Sequence, residues 1–145
     1  MNDLLQNQEK LFGKDKIQIS TDINNPKLRS DISYFAGRKI VSEWRCFVFK
    51  NKLVGIQNYS GRIYSVPNED KIQRMIEEYQ LSAPIAYTLD VAVVEIPGTP
   101  QDQTLIIEVH DFFACGLYGF DRPELYSYMC CQWFAEQKRK AENVI

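Results

Sequence analysis

Two acidic residues interrupt apolar stretches in the second half of the chain. Asp90 lies within AYTLDVAVV, and Glu108 lies within LIIEVH, two residues before the single histidine, His110. Carboxylates are rarely buried without a partner, so two of them on paired strands suggest a shared cation or a shared basic partner. Because residues two apart on a strand project from the same face, Glu108 and His110 share a face, and an antiparallel neighbour could place Asp90 beside them.

This acidic group has two interpretations. Two hard carboxylates and a third polar group suit Mg²⁺, which keeps several waters and binds through one or two carboxylates plus substrate phosphates. Imidazole suits zinc, iron or manganese better, so His110 is an awkward member of such a set. The alternative is structural, since ion pairs also place acidic residues in strands, and it pairs Asp90 or Glu108 with Arg45.

Arg45 itself lies in the apolar stretch RKIVSEWRCFVF, on the same strand face as Glu43 and opposite Trp44. An arginine in such a place suits bidentate contact with a phosphate or a carboxylate. A salt bridge to Asp90 or Glu108 explains it equally well. The sequence leaves both interpretations open.

The cysteines suggest structure rather than chemistry. No CxxC pair and no secretion signal accompany them, which predicts buried free thiols at Cys46, Cys115, Cys130 and Cys131. A base and nucleophile pair of His110 and Cys115 is disfavoured, because the loop between them lacks a thiol protease signature.

Length and composition bound the remaining possibilities. A chain of 145 residues with 45% hydrophobic and 25% charged residues predicts one globular domain. The net charge of -2 indicates no attraction to nucleic acid or an anionic membrane, and no segment reaches the roughly 20 apolar residues of a membrane span. We expect a cytoplasmic protein.

The spacing of apolar and turn residues predicts an α+β fold. Residues 1–37 are polar and weakly periodic and are expected to form a partly extended or irregular N-terminal extension, followed by one domain over residues 38–145. Two β-hairpins, each followed by an amphipathic helix, give the order β-β-α-β-β-α. Asn68 and Asp121 are the predicted caps of the two helices, and both helices are expected on one face of the antiparallel sheet.

The same motifs, in the same order, resemble a known family. EWRCFVFKNKLVGIQNYSG, AYTLDVAVV and IEVHDFFACGLYGFD are similar to the C-terminal part of an ATP-grasp domain, in the clade named for two arginines and one lysine. Glu43-Trp44-Arg45 matches an sEwR-like motif, Asp90 the acidic strand, and Glu108-Val109-His110 a Glu-x-Asn position. The resemblance covers roughly residues 40–121.

The resemblance implies an ATP- and Mg²⁺-dependent carboxylate ligase that works through an acyl phosphate. It would make Asp90, Glu108 and His110 metal ligands, Arg45 and Glu108 nucleotide-binding residues, and Arg45 the catalytic contact to the phosphate. His110 replaces the usual asparagine, and the residues upstream are too few for the complete nucleotide clamp. The enzyme would therefore be either a minimal form or half of an assembly that a second copy or a partner chain completes. The alternative is a noncatalytic binding or interaction module derived from the same fold.

Overall fold

The predicted α+β fold is confirmed. A computed structural model describes residues 34–35 and 38–144 of the chain. This described part contains five strands and two helices, which are β1 (Tyr34–Phe35), β2 (Arg38–Phe49), β3 (Lys52–Gly61), α1 (Glu69–Tyr79), β4 (Ala86–Glu95), β5 (Gln103–Asp111) and α2 (Pro123–Glu142). The expected N-terminal extension lies outside the described residues except for β1, so the division at residue 37 stays a prediction.

Two antiparallel hairpins build the sheet, as predicted. β2 pairs with β3, β4 pairs with β5, and the β2–β4 pairing joins the two hairpins in the middle of the sheet. The short strand β1 pairs with the start of β2. Lys50 and Asn51 turn the first hairpin with φ values of 49° and 59°, the left-handed conformation that a two-residue hairpin turn needs at both positions.

The first helix packs on one face of this sheet. Asn68 caps it as predicted, because its side-chain oxygen accepts a hydrogen bond of 2.9 Å from the backbone N–H of Lys71. Ile72, Met75 and Ile76 are buried against the sheet. The sheet supplies a set of alternate residues to this core, Trp44, Cys46, Val48, Tyr87, Leu89, Val91 and Val93.

The second helix packs on the opposite face, so the expectation that both helices share a face is wrong. Met129 and Trp133 of α2 are buried with Phe47 and Ala86, whose side chains alternate with those that face α1. The strand β4 is buried at nearly every position, which requires cover on both faces of the sheet. Burial of both faces of the central strands thus places the helices on opposite sides.

Two smaller expectations also fail. Arg122, not Asp121, occupies the N-cap of α2, and no side chain caps that helix end; Pro123 begins the helix in a position where its missing N–H costs nothing. Among the cysteines all four are free, but Cys131 is exposed and only Cys46 is fully buried. Neither helix of the described chain is long and apolar enough to cross a membrane.

Candidate functional site

The register of the sheet brings three of the predicted site residues into one row. Arg45 of β2 lies directly opposite Asp90 of β4, and Asp90 lies directly opposite Glu108 of β5. Residues opposed in an antiparallel pair project from the same face, so the three side chains cross the sheet on the α2 face. Irregularities in the strand pairing follow Glu43 and Asp90, and such bulges often re-aim side chains beside active sites.

Arg45 and Asp90 form a buried bidentate ion pair. Arg45 Nε donates to Asp90 Oδ1 at 2.9 Å, and Nη2 donates to Oδ2 at 2.8 Å. The two side chains are only 8% and 3% exposed. These hydrogen bonds raise the pKa of Arg45 and outweigh the opposing effect of burial, so the guanidinium stays charged. The sequence left open a salt bridge of Arg45 with either Asp90 or Glu108, and the structure contains the one with Asp90.

The rest of the Arg45 guanidinium meets the loop of residues 112–122, which we call the aromatic loop. Nη1 donates to the carbonyl oxygen of Gly116 across 3.3 Å. The ring of Tyr118 lies against the guanidinium, with its centroid 4.7 Å from Cζ, and Tyr59 of β3 stacks on Tyr118 at 5.0 Å. Arg45 is thus bounded by a carboxylate at its edge and by an aromatic ring on its face.

Glu108 and His110 form a second, exposed pair at the outer strand. His110 Nε2 lies 2.9 Å from Glu108 Oε1, and the two side chains are 52% and 50% exposed. An exposed pair of this kind contributes little stability, but the contact restricts where the Glu108 carboxylate points. Glu108 is therefore an accessible carboxylate next to the buried Asp90, and it does not serve as the counter-ion of Arg45.

Within residues 34–35 and 38–144, no group of three or more His, Cys, Asp or Glu side chains is arranged to hold a metal ion. Asp90 and Glu108 share a face, but both Asp90 oxygens accept hydrogen bonds from Arg45, and His110 turns its Nε2 towards Glu108. A metal ion here would obtain a hard oxygen ligand from Glu108 and share Asp90 with Arg45. Such a partial set suits Mg²⁺, whose remaining ligands are commonly waters and substrate phosphates. The assignment of Asp90, Glu108 and His110 as metal ligands stays a prediction.

Cys115 is not set up as a nucleophile. Its thiol donates to the carbonyl oxygen of Asp111 at 3.3 Å, and burial raises its pKa, which disfavours the reactive thiolate. A hydrogen bond from the nearby Thr88 hydroxyl would lower that pKa, but burial has the larger effect, and among the described residues this buried hydroxyl has no hydrogen-bond partner. The alternative of a His110 and Cys115 catalytic pair gains no support.

The two tyrosines beside Arg45, Tyr59 and Tyr118, are not among the site residues that the sequence predicts, and Tyr118 is expected in the core. Aromatic residues in such a loop usually belong to the core and rarely contact a ligand. Phe112 and Phe120 follow this expectation, because they are only 0% and 5% exposed. Tyr118, in contrast, is 49% exposed and has a φ of 47°, a left-handed conformation that is uncommon outside glycine. Its position between two glycines, in GLYG, is the signal that could have singled it out.

A protein-family model matches the chain. The family model describes an ATP-grasp domain, family 2 of the clade named for two arginines and one lysine, and it matches residues 29–128. This range is more than half of the chain and includes every residue of the site described above. No curated protein matches the chain, and no solved structure matches it either.

Proposed function

Because the chain belongs to the ATP-grasp domains of this two-arginine, one-lysine clade, we propose that it contributes the phosphate- and metal-binding sheet of an ATP- and Mg²⁺-dependent carboxylate ligase. The observation that carries the proposal is the row Arg45, Asp90 and Glu108 on one face of the sheet, in a chain of that family. The reaction class is the formation of an acyl phosphate from a carboxylate substrate, followed by displacement of phosphate by an amine or another nucleophile.

Arg45 is the residue that would contact the transferred phosphate. Three of its N–H groups donate to Asp90 and Gly116, and an arginine has five, so two N–H groups remain without a partner among the described residues. Asp90 fixes the plane of the guanidinium before any ligand arrives. A donor that is fixed in advance stabilises developing negative charge without reorganisation, which is the main electrostatic contribution to such reactions.

Glu108 and Asp90 would bind the metal ion, with Glu108 as the accessible ligand. Mg²⁺ held there would neutralise charge on the phosphate oxygens of the nucleotide. His110 occupies the asparagine position of the family motif, and its contact to Glu108 suggests that it orients that carboxylate more than it binds a hard cation directly. Waters and the nucleotide phosphates would supply the remaining ligands.

The proposal includes a further chain. In this proposal a second copy of the chain or a different protein supplies the opposite wall of the site. We place the reaction in the cytoplasm, where the four free cysteines of this chain are stable in their reduced form.

The test measures binding of ATP by calorimetry with and without Mg²⁺, using the full chain, Glu108→Gln and Glu77→Gln. Glu77 is an exposed glutamate on α1, which packs on the other face of the sheet, so its variant is the matched control. We expect Mg²⁺-dependent binding by the wild type and by Glu77→Gln, and at least roughly tenfold weaker binding by Glu108→Gln, since even the loss of a residue that only supports a metal ligand costs about 10–100-fold in metal affinity. A wild type that binds no nucleotide, or binds it equally well without Mg²⁺, contradicts the catalytic proposal.

A second candidate function has its own supporting observation. In the buried ion pair the charges of Arg45 and Asp90 neutralise each other. This arrangement is expected if the two residues have a structural role only. The chain would then be a noncatalytic module that keeps the ATP-grasp fold as a binding surface. Mg²⁺-dependent nucleotide binding separates the two candidates, because only the ligase requires it.

A further inference from the structure

Arg45 is closed off from solvent on the side that a phosphate would approach. The whole residue is only 7% exposed, although it carries two N–H groups without a partner among the described residues. Tyr118 covers the guanidinium, and Tyr59 supports the outer ring by stacking on it. A ligand can therefore reach Arg45 only if the Tyr118 ring moves.

The aromatic loop is built so that its middle can move while its ends stay fixed. Phe112 and Phe120 at its two ends are buried, and Phe120 stacks on Phe47 at 4.5 Å. Between them, Leu117 and Tyr118 are 39% and 49% exposed. The ends are thus fixed by packing into the core, whereas the residues over Arg45 bury much less surface.

Among the described residues, few hydrogen bonds join the middle of the loop to the rest of the protein, and within the loop the N–H of Phe120 donates to the carbonyl oxygen of Leu117 at 2.9 Å. Tyr126 donates to the carbonyl oxygen of Cys115 at 2.5 Å, while the hydrogen bond from Arg45 to Gly116 is long, at 3.3 Å. Tyr118 has a left-handed backbone, with Gly119 after it at a φ of 86°. Local opening is easiest where buried contacts are few and the backbone conformation is unfavourable.

We propose that Tyr118 is a gate over Arg45, closed in this structure and displaced by the polyphosphate of a nucleotide. The inference rests on the proposed function and adds its regulation. In the closed state the π face of Tyr118 stabilises the guanidinium charge. In the open state phosphate oxygens replace the ring and use the two remaining N–H groups, while Asp90 keeps the guanidinium in place.

The gate predicts that access to Arg45 depends on the Tyr118 ring even when no nucleotide is present. Labelling with phenylglyoxal, followed by peptide mass spectrometry, measures this access for every arginine at once. Arg62 and Arg122, whose side chains are 67% and 52% exposed, are the internal references. In the wild type we expect Arg45 to be labelled far more slowly than either reference.

The decisive variants are Tyr118→Ala and Tyr118→Leu, with Tyr118→Phe and Tyr64→Ala as controls. Phenylalanine keeps the ring, and Tyr64 is a tyrosine that is 92% exposed on another loop. Loss of the ring should speed labelling of Arg45 by roughly fivefold or more, the factor that corresponds to a cation–π contact of about 1 kcal/mol. The two controls should match the wild type. Tyr118→Leu also lacks the ring but keeps more of the apolar volume, so it can be used if Tyr118→Ala does not fold.

Binding of Mg²⁺-ATP and of inorganic tripolyphosphate to the same variants completes the test. Faster labelling of Arg45 together with tighter binding by the variants without the ring supports the gate. Unchanged labelling in a protein that binds Mg²⁺-ATP overturns the gate and leaves the ligase proposal standing. Faster labelling without binding of either probe by any variant overturns the ligase proposal and, with it, the function of the gate.

Discussion

Replacing Asp90 by asparagine tests the buried ion pair directly. Asp90→Asn keeps the size of the side chain and removes its charge, so Arg45 would stay charged and buried without its counter-ion. Two hydrogen bonds of 2.8 and 2.9 Å connect the pair, and both side chains are under a tenth exposed. Loss of one member of such a pair costs about 3–5 kcal/mol, because the other member keeps its full desolvation penalty.

Urea denaturation measures this loss, and Glu108→Gln is the matched control. Glu108 lies opposite Asp90 on the neighbouring strand and undergoes the same change from carboxylate to amide, but it is half exposed, and its ion-pair partner in the described part of the chain is His110. We expect a change within about 0.5 kcal/mol for Glu108→Gln. With a slope of about 2 kcal/mol per molar urea, Asp90→Asn should lower the midpoint by roughly 2 M. Midpoints that fall equally in the two variants, or a loss under about 1 kcal/mol for Asp90→Asn, would refute the reasoning.

A double substitution separates the charge from the packing. Arg45→Met combined with Asp90→Leu removes both charges and keeps much of the apolar volume, and replacement of a buried pair by apolar residues is often neutral or stabilising. We expect this double variant to be more stable than Asp90→Asn. A double variant that is less stable than Asp90→Asn would mean that packing of the two side chains, not the unpaired charge, explains the loss.

Two further predictions concern the cysteines and Gly55. A thiol reagent should modify the exposed Cys131 first, while Cys46, fully buried with a raised pKa, should react only on unfolding; a fast phase that persists in Cys131→Ser would contradict this. A Cβ at Gly55 would collide with the ring of Phe120, so Gly55→Ala should lower the free energy of unfolding by about 1–3 kcal/mol. Phe120→Leu in the same chain should recover part of that loss in thermal melts, and no recovery would rule out the collision as the cause.

The strands could be predicted from the sequence because their signals are local. Alternating apolar residues and the Lys50-Asn51 turn define the first hairpin, and β2 begins and ends where the sequence predicts, at Arg38–Phe49. The sides of the helices were predicted wrongly, although the sequence contains the signal. The stretch AYTLDVAVV is a nearly continuous apolar run, which is typical of a strand buried on both faces and so of cover on both sides of the sheet.

The partner of Arg45 could not be predicted, because it depends on the register between two hairpins. A shift of one residue turns a side chain to the other face, and a shift of two changes which residue lies opposite. Here the pairing of β4 with β5 is irregular just after Asp90, which sets Glu108 opposite Asp90 and Ile106 opposite Val91. Composition and spacing do not indicate such a bulge, so the sequence left both Asp90 and Glu108 as candidate ion-pair partners of Arg45.

The row across the sheet also has a direction that bears on the proposed site. Neighbouring strands are about 4.8 Å apart, so Arg45 and Glu108 are separated by roughly 10 Å with Asp90 between them. At the β2 end Tyr118 covers Arg45, whose charge is balanced by Asp90, whereas at the β5 end the Glu108 carboxylate is half exposed. In the proposed site a metal ion would therefore lie at the β5 end, beside the accessible Glu108, and a phosphate at the β2 end, beside Arg45. In that arrangement a nucleotide with its Mg²⁺ would bind along the row with its phosphate oxygens against the ring that covers Arg45.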